Sequence, residues 1–220
     1  QLATHFMMAN NGNKALYYSK KAALKAKENY AHSAAIRFFE NALKYEDSIG
    51  EIFNIKFSLA ETFSLIGNFN KAIEQLNVCL KIDPNSYKVH EKLGAVYENM
   101  GDYKKSISLY RIGLKLTKET DAIYTFKSAI AWLHARLGDY THAQAQCEKI
   151  LLKKRQLSKQ TLGDTYLILG VASIRLGRFK KAETYIKKAL KIRESTGDQK
   201  RIAACYLDLG LNYYEKYNMR

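Results

Sequence analysis

The sequence predicts an all-α protein made of consecutive antiparallel helix pairs. Two observations lead to this prediction: a short turn motif recurs along the chain, and apolar residues recur every three or four positions between its copies. The composition agrees, because 12 glycines and one proline among 220 residues are too few for a β-sandwich or a disordered linker. A hydrophobic content of 47% is sufficient for a buried core.

The turn motif is Gly-(Asn/Asp/Arg)-(Phe/Tyr), and it occurs four times, roughly 34 to 39 residues apart. Its glycines are Gly67, Gly101, Gly138 and Gly177. A glycine adopts a left-handed backbone without the steric cost of a Cβ, which makes it a common residue at the end of a helix. Each copy therefore predicts the end of one helix and the start of the next.

Small residues recur at fixed distances from these turns and predict close packing of the paired helices. The residue at the fifth position after each glycine is small: Ala72, Ser106, Ala143 and Ala182. The residue at the seventh position before each glycine is also small: Ala60, Gly94, Ala131 and Gly170. Small side chains at facing positions let two helix axes approach each other, and an aromatic residue fills the space that remains. A fifth copy of the pattern begins around Gly210.

The periodicity of apolar residues predicts about twelve helices. Their ranges are 2–9, 13–28, 31–46, 51–66, 69–82, 87–100, 103–117, 121–137, 140–155, 159–176, 179–194 and 199–216. The segment Asp83-Pro84-Asn85 is a strong stop signal after the fifth of them.

This pattern resembles the tetratricopeptide repeat, a helix–turn–helix unit of about 34 residues with the same order of Leu-Gly, Tyr, Ala, aromatic and Pro residues. The resemblance implies a right-handed α-α superhelix, with residues 1–220 forming a single solenoid. The predicted repeats are 53–86, 87–120, 124–157 and 163–196, preceded by degenerate repeats in 1–50 and followed by a truncated repeat at 203–220. Because both chain ends fall inside repeat units, we expect a fragment of a longer protein.

Patterns that would indicate catalysis are missing from the sequence. It contains no Gly-x-x-x-x-Gly-Lys-Ser/Thr loop, no Gly-x-Gly-x-x-Gly, no His-Glu-x-x-His and no Cys-x-x-Cys. Cys79, Cys147 and Cys205 lie on helix faces expected to be buried, and so sparse a set favours a reducing compartment. His134 takes the place of Tyr97 one repeat earlier and is predicted to be a core histidine with one satisfied hydrogen bond. A catalytic Cys–His pair is the alternative.

We therefore expect no catalytic residue, no metal and no cofactor in this segment, and a cytoplasmic location. A membrane interaction is not expected, because no stretch approaches the roughly 20 apolar residues of a membrane span.

The first helix of each pair lines the concave surface of a curved solenoid, so a protein or peptide partner is expected there. On these helices, residues off the packing face are mostly polar in the middle repeat and become apolar farther along the chain. The apolar candidates are Trp132, Leu167, Val171, Ile174, Leu207, Leu211 and Tyr214. They form either an exposed stripe that binds a partner or a set that longer repeats bury against one another.

Some tetratricopeptide-repeat proteins bind the carboxylate end of chaperone tails with a cationic clamp in this groove. Here the corresponding positions hold Phe57, Glu61, Glu91 and Ala95. Two acids in place of cations argue against that ligand.

The net charge of +15 arises from 36 Lys and Arg against 21 Asp and Glu. Many lysines share a helix with glutamates, as in the i,i+4 pair of Glu183 and Lys187, which favours a solvated outer face. Attraction to an acidic partner is the alternative. Nucleic acid is expected to bind only non-specifically and at low salt.

Residues from His5 to Leu43 resemble the segment that follows the nucleotide-binding and winged-helix modules in STAND-type signalling ATPases, including those fused to nucleotide cyclases. The resemblance implies a helical tail that senses a partner and controls a switch. The predicted function is thus a non-catalytic interaction scaffold within a larger signalling protein. The alternatives are a peptide or small-ligand receptor with a closed superhelix, and a nucleic-acid-binding solenoid driven by charge.

Overall fold

The computed structural model describes His5, Ala9 and residues 11–218. This part of the chain contains eleven α-helices and no β-strand, which confirms the all-α class. The helices are α1 Gly12–Glu28, α2 His32–Leu43, α3 Ile49–Leu65, α4 Phe69–Ile82, α5 Tyr87–Asn99, α6 Tyr103–Leu116, α7 Thr120–Arg136, α8 Tyr140–Leu151, α9 Lys159–Arg175, α10 Phe179–Glu194 and α11 Gln199–Asn218, with a 3-10 turn at Lys154–Gln156. The helix predicted at 2–9 lies outside the described residues, apart from His5 and Ala9.

The turn motif folds as predicted, and the structure explains its second residue as well. Gly67, Gly101, Gly138 and Gly177 all have positive φ, between 69° and 88°. In the first three copies the next residue (Asn68, Asp102 or Asp139) accepts a hydrogen bond from the backbone N–H three residues on. The glycine thus ends one helix, and the side chain after it satisfies an otherwise unpaired donor of the next helix.

Two predicted helices are shorter in the structure. The helix predicted at 31–46 ends at Leu43, because the N–H groups of Lys44 and Tyr45 bond to carbonyls only three residues back. The helix predicted at 140–155 ends at Leu151, and the basic run after it enters the 3-10 turn, where Gln156 N–H donates to the Lys153 carbonyl at 2.8 Å.

The chain forms two compact units, residues 1–101 and 102–220. In the first unit α1 packs on α2 and α3 on α4, around buried Phe39, Leu59 and Leu76. In the second unit α7 packs on α8 and α9 on α10, around buried Phe126 and Leu169, and α11 lies against α10.

The small residues predicted to allow close helix packing do so. Ala72, Ala143 and Ala182 are 0% exposed. Gly113 stands at a position where the repeat pattern has Ala. The structure explains the glycine, because a Cβ at this position would lie 2.4 Å from Cζ of Phe126. The Phe126 ring therefore occupies the space that an alanine methyl would need.

Candidate partner-binding surface

The first helices of the pairs in the second unit, α7, α9 and α11, lie side by side. Hydroxyl groups link α7 to α9, since Thr125 Oγ1 lies 3.1 Å from Thr161 Oγ1 and Ser128 Oγ lies 3.5 Å from Thr165 Oγ1. A buried arginine, Arg193 of α10, ties α9 to α11: its guanidinium donates to Asp164 Oδ1 at 2.9 Å and to the Arg201 carbonyl at 3.0 Å. These contacts fix the layer that carries the apolar candidates.

The seven apolar candidates differ in exposure. Leu207 and Tyr214, both on α11, are 75% and 64% exposed. Trp132, Leu167, Val171 and Leu211 are half-buried. Ile174 is only 4% exposed, because it packs into a core cluster with Ala182, Ile186 and Leu209. The expectation that Ile174 faces an open groove is therefore wrong.

Three of the half-buried candidates lie at the edges of two core clusters. Leu167 and Leu211 pack against the cluster that contains Ile186, and Trp132 packs against a cluster around Cys147 and Leu169. The Arg136 guanidinium lies 5.7 Å from the Trp132 ring centroid. The candidates on α7 and α9 are therefore partly or fully covered, whereas α11 retains an exposed apolar face.

That exposed face includes three tyrosines that were not among the candidates. Tyr206, Tyr213 and Tyr217 are 56%, 39% and 72% exposed, and together with Leu207 and Tyr214 they form the tyrosine-rich face of α11. Their sequence signal is helical spacing, because residues three or four positions apart share a side of a helix. The repeat pattern concealed this signal at Tyr213, since the equivalent positions Phe63 and Ser173 in earlier repeats are buried.

Gly170 and Gly210 occupy equivalent repeat positions but have different surroundings. A Cβ on Gly170 would lie 2.5 Å from Cγ1 of Ile186 on α10, so the glycine permits close helix contact. A Cβ on Gly210 would have no described atom within 4 Å. Among the described residues, nothing covers α11 as α10 covers α9 at this position.

The first helices of the first unit carry charge instead. Glu61 on α3 bonds to Lys27 on α1 at 2.6 Å and to Lys92 on α5 at 2.7 Å. Burial raises the pKa of Glu61, but the two lysines outweigh it and hold the pKa below its ordinary value. Glu61 is one of the two acids that argue against a carboxylate ligand. It also forms ion pairs with the two lysines beside it, so these are not available to such a ligand.

The cysteines are core residues, as predicted. Cys79, Cys147 and Cys205 are all free thiols with 0% exposure. Burial raises the pKa of Cys79 to about 11 and that of Cys147 to about 12, which suppresses the reactive thiolate. Over the described residues, no group of three or more His, Cys, Asp or Glu side chains is placed to hold a metal ion.

His134, predicted to be a core histidine, lies beside a second histidine. Its ring is half-buried and lies 4.5 Å from the ring of His142, but its Nε2 has no hydrogen-bond partner within the described part of the chain. Burial, followed by the charge of His142, lowers the pKa of His134 and favours the neutral ring. The other ring nitrogen, Nδ1, lies 3.9 Å from Asp139 Oδ2.

Paired helices, glycine turns and small residues at the pair contacts define a helical-repeat protein. Models of the tetratricopeptide repeat match residues 53–86, 89–122 and 163–196. These three segments therefore match the tetratricopeptide repeat, two of them with the predicted bounds and one shifted by two residues. None of the helices in the described part of the chain is both long and apolar enough to cross a membrane.

Similar proteins agree with this assignment. Human Superkiller complex protein 3 is 30% identical over 128 residues, which are 57% of this chain but 8% of that protein. Tetratricopeptide repeat protein 21B of Xenopus laevis is 29% identical over 93 residues, 42% of this chain and 7% of that protein. The chain thus spans less than a tenth of the length of these curated relatives.

Solved structures share the fold. Aspartyl phosphate phosphatase F from Bacillus subtilis superposes with a TM-score of 0.79 at 15% identity, covering 91% of this chain and 56% of that one. A crystal structure of MamA gives a TM-score of 0.58 at 21% identity, covering 85% of this chain and 96% of that one. The likeness confirms the predicted class, an all-α solenoid of paired helices.

Proposed function

We propose that this segment is a non-catalytic protein-interaction scaffold that binds a protein or peptide through its second unit. The observation that supports the proposal best is the tyrosine-rich face of α11, where Leu207 is 75% exposed and Tyr214 is 64% exposed. Large apolar side chains that cluster at the surface mark interaction sites, and tyrosine is enriched among the residues that dominate binding energy.

The neighbouring helices supply a rigid support for such a site. Leu211 and Leu167 are anchored in the core cluster around Ile186, so the exposed residues lie beside side chains that cannot move freely. A preorganised surface loses little conformational entropy on binding. Superkiller complex protein 3 is by its name a component of a complex, which is consistent with this role.

A peptide display selection tests the proposal. We expect peptides enriched on the wild-type chain to lose at least about tenfold in affinity for the double variant Leu207→Ser/Tyr214→Ser, since burial of two large apolar side chains is removed. The matched control is Leu137→Ser/Leu152→Ser, which alters two other exposed leucines, 47% and 81% exposed. Equal loss in both variants, or no enriched peptide, would contradict the proposal.

Two further measurements separate the alternatives. A saturable change in Trp132 fluorescence with a short peptide would indicate a receptor groove that extends to α7. Binding of nucleic acid that disappears as salt is raised would indicate charge alone.

We further propose that the segment belongs to a larger cytoplasmic signalling protein. The resemblance of His5 to Leu43 to the tail of STAND-type ATPases supports this, as does the great length of the relatives. The full coding sequence tests it: a phosphate-loop motif upstream is the expected result, and a short open reading frame without one would contradict it.

A further inference from the structure

A cavity of about 480 Å³ in the second unit has a charge pattern that the partner-binding surface does not share. It lies between α6, α7 and α8, and four cations line it: Arg111, Lys127, Lys149 and Lys153. No carboxylate belongs to the described lining. A volume of this size falls in the range of small-molecule sites.

The cations are not neutralised by neighbouring acids. Among the residues the structure describes, none of the four forms an ion pair, although lysines elsewhere, such as Lys27, Lys92 and Lys187, do. Glu148 is adjacent to Lys149 in the sequence, but its Oε1 accepts from Gln144 Nε2 at 2.7 Å. Four positive charges around one concavity therefore produce a field that attracts a multiply charged anion.

The inner wall of the same cavity is apolar. Ile130 and Ile150 are 6% and 3% exposed, and the half-buried ring of Tyr124 lies beside them. Lys127 Nζ lies 5.2 Å from the centroid of that ring, so the tyrosine holds one ammonium group at the cavity. A ligand that fits has a charged end for the cations and an apolar or aromatic body for this wall.

We propose that this cavity binds a small molecule that carries two or more phosphate groups on an apolar or aromatic body. Phosphates supply several charges in a small volume and accept charge-assisted hydrogen bonds from Arg and Lys. An acidic peptide supplies one charge per residue and spreads these charges along an extended chain, which suits a compact cluster of four cations between three helices less well. The site is independent of the partner surface on α11.

Isothermal titration of the 220-residue chain with ATP at about 0.15 M salt tests the proposal, because exposed charges are screened there beyond about 8 Å. We expect saturable binding with one site, and weaker binding of both adenosine and inorganic tripolyphosphate, each of which lacks one half of the ligand. Tripolyphosphate binding as tight as that of ATP would contradict a role for the apolar wall.

Two double variants separate a built site from diffuse charge. Arg111→Glu/Lys149→Glu reverses two lining cations, and Lys104→Glu/Lys180→Glu reverses two exposed lysines outside the cavity with the same change in net charge. We expect the first to weaken ATP binding at least about tenfold and the control less than about twofold. Lys153→Glu, located after the end of α8, provides a further variant if the first double variant unfolds.

Equal weakening by the control pair would overturn the proposal, as would the absence of saturable ATP binding. A peptide of alternating Asp and Glu that binds more tightly than ATP would assign the cavity to an acidic protein segment instead.

Discussion

In residues 12–101 ion pairs between half-exposed side chains join neighbouring first helices, whereas in residues 102–218 hydroxyl contacts and a buried arginine join them in addition to such pairs. Lys27, Glu61 and Lys92 link α1, α3 and α5 in the first unit. In the second, Arg193 has 6% of its side chain exposed and joins α9, α10 and α11.

The difference has a functional consequence. The ion pairs of the first unit occupy charged groups that would otherwise be available to a partner. In the second unit the contacts of Arg193 lie below the surface, while apolar side chains such as Leu207 and Tyr214 face solvent. Because buried and exposed ion pairs differ in energy, the two units should respond differently to the loss of a carboxylate.

The largest effect is expected for Asp164→Asn in the second unit. Asp164 pairs with Arg193 at 2.9 Å and with Arg201 at 3.3 Å. Its loss removes the carboxylate that bonds to a buried guanidinium, so we expect the free energy of unfolding to fall by about 3 kcal/mol. Urea denaturation measures the change, and hydrogen exchange should show faster opening of α10 and α11.

The control for Asp164 is Glu215→Gln. Glu215 lies 3.8 Å from Arg175, and both side chains are at least a third exposed, so a loss of under about 1 kcal/mol is expected. If Asp164→Asn costs no more than this control, the buried arginine does not stabilise the second unit.

Glycine-to-alanine substitutions at two equivalent repeat positions should change the stability by smaller amounts. The two changes should have opposite signs. Gly170→Ala places a methyl 2.5 Å from Ile186, whose side chain is fully buried, and should destabilise by about 1 to 2 kcal/mol after the gain in helix propensity. Gly210→Ala meets no described atom within 4 Å and should stabilise α11 by up to about 1 kcal/mol. Thermal unfolding of both variants measures the contrast, and equal signs would show that contact with α10 does not set the cost.

The sequence was sufficient to predict most of the helices. Glycines such as Gly67 and Gly138 mark turns through backbone conformation, which is a local property, and apolar spacing identifies the face of each helix. The predicted range 69–82 agrees with α4 at both ends. The predicted helix ends were wrong at Leu43 and Leu151, where no glycine follows the helix. Hydrogen bonding to residues three positions back ends these helices, and it has no clear signal in the amino-acid composition.

The candidate surface was less predictable because exposure depends on what packs against a helix. Ile174 and Tyr214 occupy equivalent places in their repeats, yet one is 4% and the other 64% exposed. The cavity around Arg111 and Lys149 was not predicted either, since its cations come from α6, α8 and the connection after it, with Lys127 on α7 between them. Only the packing of three helices brings them together.

The smallest effect is expected for Glu61→Gln in the first unit. The pKa of Glu61 in the folded protein lies below its ordinary value of 4.5, so the ionised carboxylate contributes stability above that pH. The contribution is lost as the pH falls through the lowered pKa, when the carboxylate takes up a proton and its bonds to Lys27 and Lys92 weaken. Because the Glu61 and Lys92 side chains are 26% and 42% exposed, we expect Glu61→Gln to lower the free energy of unfolding by less than about 1 kcal/mol at neutral pH.

Urea denaturation of wild type and Glu61→Gln at several pH values measures this contribution. The difference between the two proteins should shrink below pH 4.5 and in about 1 M salt, which screens exposed charges beyond about 3 Å. Asp164→Asn should retain most of its effect in the same salt, because its arginine is shielded from solvent. An equal salt response in both variants would remove the distinction between a surface-charged first unit and an internally paired second unit.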